Sequence, residues 1–176
     1  MTRWLVPLAL FLAAALAAFW FTLNAVPGMI MGKAMDRISS TAAASGGVLY
    51  APRLREDNQT IVRASPDILY SVCAFDLAAG DLDLTVPWPT DGNYASVSFY
   101  DARTNNFAVI SDREAEGALT QLRLSLHSPG DGPGTTIQAP TPQGLALYRR
   151  VIDAETDLDA ADAERRAFTC TPLSGT

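Results

Sequence analysis

Few residues of this chain could carry out acid–base or nucleophilic chemistry. Its 176 residues include one histidine, His127, and two cysteines, Cys73 and Cys170. A serine nucleophile needs a histidine base beside it, and His127 falls on the polar face of an alternating segment with Gln121 and Arg123. The sequence contains neither a GxSxG motif nor a glycine-rich phosphate loop. We therefore identify no catalytic residues, and the pattern favours a protein that is not an enzyme without deciding the question.

A group of polar and aromatic residues in the middle of the chain has the side chains that bind sugars and small molecules. Aromatic rings, carboxylates and guanidinium groups are the usual means of orienting such ligands. The same residue types are also ordinary strand and turn residues, so both interpretations stay open. The candidate binding residues are Tyr94, Tyr100, Asp101, Arg103 and Asn105, with Tyr70 and Asp76 as further members of the group.

Acidic residues near the C-terminal end follow the spacing of a calcium-binding loop. The residues at its ligand positions are Asp153, Glu155, Asp157, Asp159 and Glu164. However, Leu158 stands where the loop requires glycine for its sharp turn. A short helix over residues 156–167, with Thr156 as N-cap and acidic residues in its first turn, explains the pattern better. We predict no metal site and no cofactor.

The charge balance excludes one class of partner. Apart from Arg3, all charged residues follow residue 25, which leaves 12 basic and 19 acidic side chains and a net charge of 12 − 19 = −7. An acidic domain repels the phosphate backbone of nucleic acids. We therefore predict no nucleic-acid partner.

The N-terminal segment can cross a membrane. Residues 4–23 (WLVPLALFLAAALAAFWFTL) are apolar and uncharged, and a spanning helix needs roughly 20 such residues. The alternative is a cleaved signal peptide, but bulky aromatic residues occupy the end of the apolar core, where small residues are expected. We predict an uncleaved single-pass anchor over residues 1–27 and a juxtamembrane amphipathic helix over residues 28–46, with Pro27 ending or kinking the anchor.

The remaining residues, 47–176, show the pattern of one β-domain. Apolar and polar side chains alternate over residues 82–88, 94–100 and 120–127, which is typical of strands with one buried face. Turn residues separate these segments, among them the run at 128–134, and the spacing predicts an antiparallel sandwich or barrel. The side chains expected to point inward are Val97, Phe99, Leu122 and Leu124.

Several short motifs resemble a bacterial family called domain of unknown function 1254. They are residues 63–71 (RASPDILYS), 75–77 (FDL), 84–87 (LTVP), 93–101 (NYASVSFYD) and 104–107 (TNNF). Their order and spacing hold over nearly the whole soluble part. The resemblance implies an Ig-like β-sandwich. It also implies that a partner domain, domain of unknown function 1214, is found in the same chain or in a neighbouring protein.

Two functions are compatible with these observations. The first is a membrane-anchored module of the cell envelope that binds a partner protein. The second is a small-molecule or carbohydrate binding or processing protein that acts with a separate domain-of-unknown-function 1214 chain. A pocket joining Tyr94, Tyr100, Asp101 and Arg103 would favour the second function, and a filled sandwich would favour the first.

The two cysteines bear on the side of the membrane where the domain lies. They are either buried thiols or one disulfide, and a disulfide requires an oxidising compartment. The lysine and arginine count slightly favours a cytoplasmic domain, with Arg3 before the helix and Lys33 and Arg37 after it. The resemblance and the even number of cysteines favour the opposite side. We predict an extracytoplasmic domain, periplasmic in such a bacterium, with Cys73 bonded to Cys170.

Overall fold

The computed structural model describes residues 2–42, 47–55, 57–58, 64–115, 117–127 and 135–173. These residues form a long N-terminal helix, two β-sheets and a short C-terminal helix. The predicted mainly β architecture with one helix at each end is therefore confirmed. The predicted turn at 128–134 and the end of the predicted juxtamembrane helix at 43–46 lie outside the described residues.

The strands belong to two sheets. In chain order they are β1 (Val48–Tyr50), β2 (Ile68–Asp76), β3 (Leu82–Pro87), β4 (Ala95–Asp101), β5 (Asn106–Ser111), β6 (Leu119–Ser125), β7 (Thr135–Gln138), β8 (Gln143–Val151) and β9 (Thr169–Pro172). The five-stranded sheet has the order β1-β2-β8-β4-β5 and is antiparallel throughout. The four-stranded sheet has the order β7-β6-β3-β9. Its β6 and β7 run parallel, so the purely antiparallel prediction is wrong for this pair.

The inward faces of the two sheets share one apolar core. All of the side chains predicted to point inward belong to it, and each is at most 2% exposed: Val97, Phe99, Leu122 and Leu124. Tyr148 of β8 and Phe168, just before β9, stack with ring centroids 5.4 Å apart. Burial of this many large apolar side chains is the main free-energy gain in forming the sandwich.

The N-terminal helix, α1 (Leu5–Ala42), is continuous over 38 residues, or about 57 Å at ~1.5 Å per residue. Its first half is apolar and exposed, and its second half contacts β1, β2 and β8, with Met31 and Ala42 buried. Pro27 lies inside the helix and does not end it, so an end of the anchor at Pro27 is wrong, and the alternative of a kink at Pro27 stays a prediction. The missing proline N–H removes one backbone bond, which the packing of the second half onto the sheet offsets. The division of the chain at residues 27 and 46 stays a prediction.

Sequence reasoning missed β1, β8 and β9. The most important of these is β8, which lies at the centre of the five-stranded sheet. Its buried positions are Gly144, Ala146, Tyr148 and Arg150, a set too small and too polar to look like an inward face. Its other face carries Leu145 and Leu147, which are half-buried. The alternation is therefore reversed relative to the pattern that a half-buried strand normally shows.

The C-terminal helix, α2 (Leu158–Arg165), begins later than predicted. Its N-cap is Asp157, whose carboxylate accepts hydrogen bonds from the backbone N–H groups of Asp159 and Ala160. The choice of Thr156 as N-cap is wrong, because its hydroxyl donates instead to Asp153 at 2.7 Å. A carboxylate at the cap also suits the positive end of the helix dipole.

Candidate functional site

Three of the candidate binding residues lie together in the turn between β4 and β5. Asp101 is 6% exposed, and one of its carboxylate oxygens accepts the backbone N–H groups of Arg103 and Asn105, each at 2.8 Å. The other oxygen accepts the Asn105 side-chain amide at 2.8 Å. Thr104 has a φ of 69°, which this hydrogen bonding stabilises. Asp101 therefore builds the turn, and its carboxylate is occupied by the turn itself.

The ionisation of Asp101 follows from the same contacts. Burial alone would raise the pKa of its carboxyl group, but the hydrogen bonds from Asn105 and Arg103 outweigh burial and hold the pKa below its ordinary value. The carboxylate is therefore ionised at neutral pH, where an acceptor with several donors is most favourable. It is poorly suited to donate a proton to a substrate at that pH.

The two tyrosines of the set lie at opposite ends of β4. Tyr100 is half-buried beside the turn, whereas Tyr94 precedes the strand, is 40% exposed and accepts the Val151 N–H through its backbone carbonyl. Seven residues of extended chain place Tyr94 about 20 Å from Asp101. The structure thus brings Tyr100, Asp101, Arg103 and Asn105 together and leaves Tyr94 apart. A binding role for these residues stays a prediction.

Tyr70 and Asp76 have local structural contacts. The Tyr70 hydroxyl accepts the Ser65 backbone N–H at 3.1 Å. Asp76 accepts the Gln143 side-chain amide at 2.7 Å and the Ala78 backbone N–H at 2.9 Å. These hydrogen bonds, led by that from Gln143, lower the pKa of Asp76.

The acidic residues at the calcium-loop spacing do not converge. Asp153 accepts hydrogen bonds from Thr156 and from the Glu155 backbone, while Asp157 caps α2. Within the described residues, no group of three or more histidine, cysteine or acidic side chains is arranged to hold a metal ion.

A cleft lined by both apolar and polar side chains opens at one edge of the sandwich, where β5 of the five-stranded sheet faces β6 and β7 of the other. It has a volume of about 500 Å³. Its lining residues, which define the open-edge cleft, are Ile110, Glu114, Ala115, Leu119, Thr120, Gln121, Leu122 and Thr135. Beside it, Val109 is 49% and Leu119 is 52% exposed. Two smaller cavities, of about 220 and 210 Å³, lie between α1 and the end of β2 and beside Arg150.

The opposite edge is closed by a disulfide. Cys73 of β2 and Cys170 of β9 are bonded, with their Cα atoms 6.5 Å apart, within the range that a disulfide allows. The bond joins the two sheets and closes a loop with a sequence separation of 97. The predicted pairing of Cys73 with Cys170 is confirmed.

Comparison with known proteins extends the motif resemblance to the whole domain. The profile of the family described as "Protein of unknown function (DUF1254)" matches residues 47–172. The chain belongs to the DUF1254 family. No curated protein matches this DUF1254 chain.

Two solved structures share the fold of this DUF1254 domain. The VPA0106 protein of Vibrio parahaemolyticus has a TM-score of 0.56 at 16% identity, over 84% of this chain and 37% of that one. An uncharacterized protein of Burkholderia cenocepacia has a TM-score of 0.52 at 14% identity, over 79% of this chain and 38% of that one. This chain therefore spans less than two-fifths of the length of either protein, and the likeness establishes the fold alone.

Two buried arginines of the DUF1254 domain were missed by sequence reasoning. Arg150, whose side chain is 3% exposed, bridges Asp91 at 3.0 Å and Glu164 at 2.8 Å, and so ties α2 to the central strand of the five-stranded sheet. Arg165 donates to the backbone carbonyls of Ala51 at 2.9 Å and Tyr70 at 2.7 Å and pairs with Asp162. The adjacent basic pairs at 149–150 and 165–166 gave no signal of burial, because arginine is rarely buried unless it is paired.

Proposed function

We propose that this DUF1254 chain is a membrane-anchored, extracytoplasmic β-domain that binds a partner protein along β5 and the open-edge cleft. One observation carries the binding part of the proposal: β5 is an uncharged, partly exposed edge strand beside a cleft that apolar and polar side chains line together. The finer fold assignment, an Ig-like sandwich, belongs to the same proposal. It is supported by the single core between two facing sheets and by the bond between them.

The anchor and the compartment rest on two separate observations. The first half of α1 is long enough and apolar enough to cross a membrane, and it is fully exposed, which is unfavourable in water and favourable in lipid. The Cys73–Cys170 disulfide supports a location outside the reducing cytosol. The envelope is the compartment that satisfies both.

The partner-binding edge is argued from how edge strands are normally protected. Among the described strands, β5 pairs only with β4, so its outer backbone groups are available for pairing. Natural edge strands usually carry a charge, a proline or a covering element against such pairing, whereas β5 (NFAVIS) has no charged residue. An extended segment of a partner could add to β5 and place its side chains in the open-edge cleft.

The family suggests which partner to test first. The resemblance implies a domain-of-unknown-function 1214 protein as the neighbour of a DUF1254 domain. In both solved structures the matched fold is a minority of a longer chain, so the fold occurs there beside additional protein. This supports a domain-of-unknown-function 1214 chain from the same cell as the partner to test.

A charge on β5 tests the proposal. The variant Val109→Lys places an ammonium group at the half-exposed centre of the strand, where an incoming strand would have to bury it. We expect at least a tenfold loss of affinity of the full chain, in detergent, for the purified domain-of-unknown-function 1214 protein. The control Thr171→Lys adds the same charge to the exposed face of β9 and should bind like the wild type.

The experiment distinguishes an incorrect partner from an incorrect binding site. If the wild-type chain does not bind the domain-of-unknown-function 1214 protein, the proposed partner is wrong. If Val109→Lys binds that protein as tightly as the wild type, the proposed binding site along β5 is wrong.

The second function, carbohydrate or small-molecule binding with a partner chain, has less geometric support. The Asp101 carboxylate is taken up by its own turn, and Tyr94 lies apart from the other candidates. Of the wider group, Asp76 lines the cavity between α1 and β2, and the five candidate binding residues line none of the three cavities described above.

A further inference from the structure

The exposed and packed halves of α1 meet with no break between them. The helix is continuous, and residues 25–28 are the first half-buried residues along it. At Gly28 the helix approaches the turn between β4 and β5, because a Cβ atom built there would lie 4.0 Å from the Ala102 carbonyl oxygen. The continuous helix therefore holds this turn close to the membrane-spanning half, while tilting of the whole chain still changes the depth of the turn in the headgroup layer.

The rise per residue of the helix gives the distance between the hydrocarbon core and the turn that Gly28 contacts. Five residues separate Leu23, the last of the apolar stretch, from Gly28, which corresponds to about 7 Å along the axis. The headgroup layer is about 5–7 Å thick on each side of a hydrocarbon core of roughly 30 Å. The turn at residues 102–105 thus lies at the level of the lipid headgroups when the apolar stretch fills the core.

We propose that the turn at residues 102–105 docks into the headgroup layer and that Arg103 pairs with a lipid phosphate. This inference rests on the proposed membrane anchor. Arg103 is exposed and forms no ion pair with the described residues. A guanidinium group binds phosphate oxygens in a bidentate geometry. The Asp101 hydrogen bonds fix the backbone on either side of Arg103 and so hold it at this level.

The nearby carboxylates do not oppose this arrangement. Asp101 is buried in the turn and its charge is taken up by donors within it. Asp36 and Asp76 line the cavity between α1 and β2, and Asp36 lies about 12 Å farther along the helix from the membrane than Gly28. Of these charged groups, Arg103 is therefore the exposed one at headgroup depth.

A spin label measures the depth directly. In the full chain, we would place a single new cysteine at Thr104→Cys, in the turn, or at Arg113→Cys, which follows β5 at its other end and is 72% exposed. The six residues of β5 separate the two positions by about 20 Å. The native cysteines are bonded, so labelling without reductant marks the new thiol.

The labelled chains would be reconstituted in vesicles of phosphatidylcholine and phosphatidylglycerol containing a nickel-chelating lipid. Headgroup-bound nickel should relax the label at residue 104 several-fold more than the label at residue 113. In the Thr104→Cys background, Arg103→Gln should reduce this enhancement by about half and Arg103→Lys should largely retain it, because only a cation attracts the phosphate.

Flotation of the same vesicles separates the possible failures. A chain that floats with the vesicles but shows equal relaxation at residues 104 and 113 overturns the docking and leaves the anchor intact. A floating chain whose enhancement at residue 104 is unchanged by Arg103→Gln overturns the phosphate pairing. A chain that does not float overturns the anchor itself and the docking with it.

Discussion

The two edges of the sandwich are closed in different ways. At one edge, the Cys73–Cys170 disulfide joins β2 to β9, and α1 packs against β1 and β2. At the other edge, β5 faces β6 and β7 across a cleft of about 500 Å³ lined by both apolar and polar side chains, and within the described residues no covalent bond joins the sheets there.

The difference indicates that one edge stabilises the fold and the other is available to bind a partner. The disulfide edge has contacts that hold elements distant in sequence together, including the Arg165 hydrogen bonds to the carbonyls of Ala51, just after β1, and Tyr70 in β2. The open edge leaves apolar side chains and strand backbone accessible, which is unfavourable for an isolated domain and favourable for partner binding. We therefore expect the largest stability losses at the disulfide edge and the largest binding losses at β5.

Removing the disulfide should have the largest effect on stability. For Cys73→Ala with Cys170→Ala, the loop-entropy model predicts a loss of about 4 kcal/mol for a loop of this size. Urea denaturation of the full chain in detergent measures the loss. Wild-type protein in reductant should unfold at a similar urea concentration to the double variant. A change below about 1 kcal/mol would mean that packing alone holds this edge closed.

Replacing Arg165 should cause the second-largest loss of stability. The variant Arg165→Met leaves the Ala51 and Tyr70 carbonyl oxygens without their charged donor, which should lower the free energy of unfolding by about 2–3 kcal/mol. Its neighbour Arg166 is a matched control, since it is 55% exposed and pairs with the same Asp162. Arg166→Met should cost at most about 1 kcal/mol. Equal losses would contradict the structural role of Arg165.

The contribution of the Asp101 turn to the free energy of unfolding should depend on pH. The folded-state pKa of Asp101 is lowered, so its contribution is present above the unfolded pKa of about 4 and is lost as the pH falls through the lower folded value. Asp101→Asn should cost about 1–2 kcal/mol at pH 7. The gap to the wild type should shrink below about pH 4, as measured by urea denaturation at several pH values. A gap that is constant from pH 7 to pH 3 would contradict this, and the exposed Asp67→Asn serves as the control.

A pair of tyrosines should give the smallest effects, with opposite signs. The Tyr148 hydroxyl is fully buried and has no hydrogen-bond partner among the described residues, so Tyr148→Phe should stabilise the protein by about 1 kcal/mol. The Tyr50 hydroxyl donates to the Phe168 carbonyl at 2.9 Å, so Tyr50→Phe should destabilise it by about 1 kcal/mol. Thermal unfolding of both variants checks the signs. A loss of stability in Tyr148→Phe would show that its hydroxyl is bonded in solution.

Sequence reasoning predicted the parts of the fold whose residues alternate in the ordinary way. The inward positions of β4 and β6 are confirmed because Val97, Phe99, Leu122 and Leu124 all face the core. The central strand β8 was missed because its core-facing side carries Gly144 and Arg150, while the larger apolar side chains Leu145 and Leu147 lie on its other side.

The candidate site was less predictable than the fold. Composition alone could not show that the Asp101 carboxylate is used within its own turn, since carboxylates that build turns and carboxylates that bind ligands are the same residue type. It also could not show that β5 lies at an edge, because strand order depends on pairings between residues far apart in sequence. The disulfide was predictable because the sequence offers only two cysteines.

The central claim, an anchored extracytoplasmic domain, is tested most directly by one intact-mass measurement. The protein is extracted from its own membranes and denatured without reductant in the presence of a thiol-alkylating reagent. Its intact mass is then measured by mass spectrometry. We predict a mass that includes residues 1–23 and no added alkyl group, because the anchor is retained and Cys73 is bonded to Cys170. A mass lacking about 25 N-terminal residues would contradict the anchor, and two added alkyl groups would contradict the oxidising compartment.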